Sequence, residues 1–148
     1  MACGRVRVSR SVSQLSASTR SKVTVALTCS VWGGVPAPAN PWADLPKVLA
    51  LATRPNVVIK VSGACTLSRE PYPFPDIWDP LARVFDAWGF ERCLWGTDWT
   101  RAFAVVNYEQ AVKPFLETKR LSDSERAMLM GGACAKAYGW LPRKVGAA

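Results

Sequence analysis

The residues best placed to do chemistry lie in Glu91-Arg92-Cys93-Leu94-Trp95-Gly96-Thr97-Asp98-Trp99, where an apolar run meets a glycine and one carboxylate follows. A buried parallel strand ends this way when it delivers an acid to a site at its C-terminal edge. A carboxylate so placed can help hold a cation or take a proton from an attacking water. The sequence contains no histidine, the commonest metal-ligating side chain, so Asp98 stands without the usual ligands beside it. The competing role for Asp98 is to cap the turn that follows the strand.

Other side chains around this acid admit two roles each. Arg101, three residues on, can clamp a substrate carboxylate through its planar fork or remain a solvated loop arginine. Lys60 and Ser62 alternate onto one face of an apolar strand. A lysine there marks either an inward polar site or a side chain snorkelling at the strand end. Trp95 and Trp99 flank the acid and either line a pocket or fill the core.

The elements that must position these residues begin at Trp42. Asp44 is placed to cap a helix with Leu45, Val48, Leu49 and Ala52 on one face, ending near Arg54-Pro55. Asn56–Gly63 is β-branched and mostly apolar, a strand covered on both sides. A second helix carries Ile77, Leu81, Val84, Phe85 and Trp88 and stops at Gly89. After the strand at Arg92–Gly96, a third helical stripe runs through Tyr108, Ala111, Val112, Phe115 and Leu116, with Pro114 expected to kink it. Ser122-Asp123-Ser124-Glu125 has the form of a capping box. Gly131-Gly132 should break the helix it starts, and Ala133–Trp140 should close the fold at Gly139. Alternating helices and strands imply α/β architecture with parallel strands.

Residues 1–40 differ. Residues 1–30 hold five cations (Arg5, Arg7, Arg10, Arg20, Lys22), seven serines and no acid, and Gly34–Pro41 is proline-rich. Most of the net charge of +8 therefore belongs to a Ser/Arg-rich arm, expected to be disordered, while the remaining 14 basic and 11 acidic residues leave the body at +3. The arm lacks the interleaved aromatics of a nucleic-acid module, so nucleic acid is not the expected partner. Five cysteines without a Cys-x-x-Cys pair read as reduced thiols in a cytoplasmic protein and not as a zinc site. No apolar run reaches the roughly 20 residues of a membrane span.

The blocks Leu49–Ala52 through Pro55-Asn56-Val57 to Lys60-Val61-Ser62-Gly63, then Glu91–Trp99, then Met130-Gly131-Gly132-Ala133 to Tyr138-Gly139-Trp140 resemble the C-terminal portion of the amidohydrolase-related (amidohydrolase 2) metal-dependent hydrolases. The resemblance spans about Pro41 to Pro142, giving residues 41–148 as a partial barrel after the arm of residues 1–40. It implies the last β/α units of a TIM-type (β/α)8 barrel, incomplete in 148 residues. It also implies hydrolysis of a small organic acid, lactone or amide, or a decarboxylation. Asp98 would match the strand-eight aspartate that contacts a zinc or manganese ion and deprotonates its water. Arg101, Lys60, Ser62 and Trp99 would meet the small-molecule substrate. The family's histidine ligands are missing, so this chain is expected to lack a complete metal site and to bind no metal. Residues 1–30 match nothing in the resemblance and suggest a different origin, such as a shifted reading frame or a truncated gene model. The alternative reading is a non-catalytic interaction protein using the basic arm and an open half-barrel surface, whose free strand edges favour self-association.

Overall fold

The structure of the chain, a computed structural model, describes residues 8–9, 23–26 and 40–141. The rest of the basic arm lies outside the described residues. Strands β1 (Val8–Ser9), β2 (Val23–Ala26), β3 (Val57–Ser62) and β4 (Cys93–Gly96) form one sheet in that order. β1 is antiparallel to β2, and β2, β3 and β4 run parallel. The α/β expectation with parallel strands holds, with one more parallel strand than the sequence reading found. Val23-Thr24-Val25-Ala26 is too short to show a period of its own, yet it pairs with β3 from Val23↔Val57 to Ala26↔Lys60.

The helices are α1 (Leu45–Ala50), α2 (Trp78–Trp88), α3 (Trp99–Ala102), α4 (Tyr108–Glu117), α5 (Asp123–Ala127) and α6 (Ala133–Tyr138). Most of the core lies on one sheet face. Ile59, Val61 and Cys93 meet Leu45 and Val48 of α1, Leu81, Val84, Phe85 and Trp88 of α2, and Ala111 and Phe115 of α4. Each fully buried large aliphatic there contributes about 1.5–3 kcal/mol. On the opposite face Val58 and Leu94 are covered by Ala133, with Met128, Cys134 and Ala137 packed around them. β3 thus has helices over both sides of its N-terminal half, which explains its unbroken apolar run.

Three local expectations need correction. The Asp44 side chain does not cap α1, because Pro46 removes a donor from the first turn and the carboxylate instead takes the Lys47 ammonium at 2.6 Å. Tyr108 and Leu116 are exposed, so the buried side of α4 is Ala111, Pro114 and Phe115. Gly131-Gly132 does not break the last helix. A π-helical turn, Met128–Gly132, joins α5 to α6, and a Cβ on Gly132 would stand 3.0 Å from the Met128 sulfur. The missing side chain admits the extra residue of that turn. The Ser122–Glu125 capping box and the left-handed Gly139 stop form as read.

Arg92 fastens the helical layer to the sheet. Its guanidinium donates to the carbonyls of Trp88 at 2.8 Å, Ala52 at 2.9 Å and Arg54 at 3.2 Å, and lies over the Trp88 ring at 5.2 Å. Those carbonyls end two helical segments, where cations are favoured.

Candidate active site at the strand ends

The site is built where β3 and β4 end side by side. Val61 pairs with Trp95 and Ser62 with Gly96, and the Gly63 amide then donates to the Gly96 carbonyl at 3.0 Å. At this point both strands turn through left-handed backbone. Gly63 has φ 63° and Asp98 has φ 49°. For glycine this conformation is free, whereas an aspartate there carries a local cost of about 1 kcal/mol. Such a residue persists only where its surroundings hold it, and these positions concentrate at functional sites.

The Asp98 side chain lies across the end of β3. A Cβ built on Gly63 would sit 3.0 Å from the Asp98 Cβ and 3.7 Å from its Oδ2, so the absent Gly63 side chain makes the space the carboxylate uses. The Thr66 hydroxyl donates to the Gly63 carbonyl at 2.7 Å and steadies the turn beneath it. The Asp98 carbonyl accepts from the Ala102 amide at 3.0 Å and so opens α3. Its left-handed φ is not the extended conformation usual for a residue capping through its side chain.

The other sequence-derived candidates divide. Ser62 is buried, at 3% exposure, directly behind Gly96, whose Cβ would be 3.5 Å from the Ser62 Cβ. Lys60, on the same face of β3, is exposed. Arg101 lies in α3, and its side chain falls outside the described residues. Trp95 packs edge-on against Phe115 at 5.8 Å, while Trp99, the first residue of α3, is 40% exposed. The two tryptophans flanking the acid therefore differ in surroundings: Trp95 packs against the core and Trp99 is partly exposed. Gly63 and Tyr108 escaped the sequence reading as site residues. Gly63 signalled itself only by ending an apolar strand, and Tyr108 sat in a helical stripe that placed it in the core.

The donor set around Asp98 does not fit a divalent metal. Three or more protein ligands normally hold such an ion. Among the described residues no group of three or more His, Cys, Asp and Glu comes together that could do so, and the sequence has no histidine. Cys65 and Cys93 are buried thiols, and burial pushes both up, Cys93 to about 12, so neither is a ready thiolate. Among the described residues no helix is long and apolar enough to cross a membrane.

Comparison with known proteins places the chain in a family. The chain is 34% identical to an L-fucono-1,5-lactonase of Burkholderia multivorans (strain ATCC 17616 / 249) over 96 residues, which are 60% of this chain and 32% of the lactonase. A crystal structure of an amidohydrolase from Burkholderia multivorans with bound zinc is 31% identical, with a TM-score of 0.58, over 74% of this chain and 42% of that one. A Pseudomonas putida protein described as a 2-pyrone-4,6-dicarboxylic acid hydrolase is 27% identical, with a TM-score of 0.55, over 70% of this chain and 39% of that one. The chain thus spans about a third of the length of the curated lactonase it matches. The amidohydrolase pattern itself extends from residue 32 to residue 140. A match over that much of the sequence establishes that this chain belongs to the amidohydrolase family.

Proposed function

We propose that this chain carries the last β/α units of a barrel hydrolase acting on a lactone or a related small organic acid, with Asp98 as the group that takes a proton from the attacking water. One observation carries the reading: Asp98 is held in left-handed backbone over Gly63, at the C-terminal ends of parallel strands. In lactone hydrolysis the water oxygen bonds to the carbonyl carbon and its proton passes to the carboxylate. The ring C–O bond then breaks, and the departing oxygen receives that proton back from the Asp98 carboxyl group. Among the described residues no set of side chains beside Asp98 completes a metal site, so the proposal includes the provision of the remaining ligands from outside them.

The test is a chimera in which the matched segment of this chain replaces its counterpart in the Burkholderia lactonase. Lactone hydrolysis by the chimera, falling at least about 100-fold on Asp98→Asn, supports the reading. Equal activity of the two chimeras overturns it. Lactone turnover by the 148-residue chain alone, with zinc or manganese added, overturns the part that calls it incomplete.

A second reading, a non-catalytic interaction protein, draws on Lys60, which is exposed at the centre of the sheet while Val58 and Leu94 on the same face are buried. An open inner face and strand edge would then serve self-association. Sedimentation of the full chain tests it, and a monomer at all concentrations counts against it. Binding to DNA or RNA that weakens with salt would revive the nucleic-acid version.

A further inference from the structure

Three aromatic rings stand exposed immediately after Asp98: Trp99 at 40%, Phe103 at 63% and Tyr108 at 58% exposure. Trp99 touches both of the others. Trp99 and Tyr108 meet at 5.4 Å with their planes 71° apart, and Trp99 and Phe103 at 6.5 Å and 53°. Contact between rings with few rotatable bonds makes a stiff apolar surface at small entropic cost. Its supports are rigid. Trp99 opens α3, which is anchored by the fully buried Ala102. Tyr108 opens α4, fixed by a capping box in which the Gln110 amide donates to Asn107 Oδ1 at 2.8 Å, and by buried Ala111 and Phe115. Trp99 is not among the residues of the core and keeps 40% of its surface exposed. A cluster of exposed apolar groups beside a carboxylate calls for a ligand with an apolar face and a polar rim.

From this we infer that Trp99 and Tyr108 form an aromatic corner that holds the ring of a hydroxylated lactone next to Asp98, an inference resting on the lactone-hydrolase reading above. The C–H face of such a ring lies on an aromatic surface, while its carbonyl and hydroxyls reach the polar groups at Thr97 and Asp98. Phe103 backs the corner by its contact with Trp99.

The experiment titrates the full chain, without metal, with glucono-1,5-lactam, a hydroxylated ring that the site cannot hydrolyse, followed by saturation-transfer NMR and calorimetry. The expected result is binding by the parent chain that weakens about tenfold in Trp99→Ala and in Tyr108→Ala and recovers in Trp99→Phe. Both positions tested are at the surface, and circular dichroism verifies the folds of all three variants. No lactam binding by the parent chain, or equal binding by Trp99→Ala, overturns the inference. So does a dimer that Trp99→Ala converts to monomer without any lactam binding, because the patch then belongs to a second copy. The two readings fail separately. Lactam binding lost on Trp99→Ala, with no lactone turnover in the chimera, supports the corner and sinks the hydrolase. Chimera turnover indifferent to Trp99→Ala overturns the corner alone.

Discussion

Gly63 and Asp98 meet across the ends of two parallel strands, both in left-handed backbone, with room between them for no side-chain atom on the glycine. A Cβ at Gly63 would lie 3.0 Å from the Asp98 Cβ and 3.5 Å from the Thr97 carbonyl oxygen. The two positions are therefore one device. The glycine gives up its side chain, and the aspartate turns its carboxylate over the vacated strand end.

This makes Gly63→Ala doubly unfavourable, and the protein contains its own control. Gly139 has nearly the same backbone, φ 65° and ψ 28° against φ 63° and ψ 27°, but nothing lies within 4 Å of where its Cβ would be. Gly139→Ala should cost the conformational term alone, about 1 kcal/mol in a urea titration. Gly63→Ala should cost about 1–3 kcal/mol more, because Asp98 must also move. Equal losses in the two variants would show that Asp98 is not packed against Gly63.

Much of this site was legible before the fold was known, for a physical reason. A strand covered on both sides shows as an unbroken apolar run, so Val57–Ser62 and Cys93–Gly96 announced themselves, and the acid after the second run followed. What stayed hidden depends on contacts remote in sequence. β2 is a strand because β3 offers it a parallel partner, and its four residues alone carry no such message. Tyr108 fits a helical stripe, yet its ring turns to Trp99 instead of the core. Gly131-Gly132 follows the usual sign of a helix end, but the Met128 side chain fills the gap that Gly132 leaves. Asp44 was displaced from its cap by the neighbouring Pro46 and Lys47.

Arg92 carries a prediction about the layer beneath the site. Its planar fork serves carbonyls of Ala52, Arg54 and Trp88 together, and a single ammonium cannot reproduce that geometry. Arg92→Ala should lower stability by about 2–4 kcal/mol, leaving partly buried carbonyls without this donor. Arg92→Lys should recover less than half of that loss. Full recovery by lysine would reduce the role to charge alone.

The capping box that opens α5 predicts acid sensitivity. The Glu125 carboxylate accepts from the Ser122 hydroxyl at 2.7 Å and from its amide at 2.8 Å, and these bonds hold it below its ordinary value of 4.5. A carboxyl lowered on folding stabilises the fold above its unfolded value, and the contribution is lost as pH falls through the folded value. Melting temperatures of the parent chain and Glu125→Ala should differ at neutral pH and converge below about pH 3. A gap that persists in acid would show that the carboxylate's charge is not what caps the helix.

Cys93 predicts the opposite limit. Burial in β4 raises its thiol from 9.0 to about 12, with the nearby Arg92 charge acting the other way. A thiol raised on folding leaves stability intact below the unfolded value. Above it the unfolded chain ionises and the folded one does not, so stability falls between about pH 9 and 12, at about 1.4 kcal/mol per pH unit. Cys93→Ala starts lower, because it opens a small cavity, but should decline less steeply over that window. Tyrosines and lysines titrate in both proteins, so the difference in slope isolates this thiol. Native-state alkylation at pH 8, mapped by mass spectrometry, supplies the second readout. The partly exposed Cys134 should react while Cys93 stays unmodified. Equal labelling of the two would mean that β4 opens faster than the reagent acts, and the strand that leads into Asp98 would then be too loose to position it.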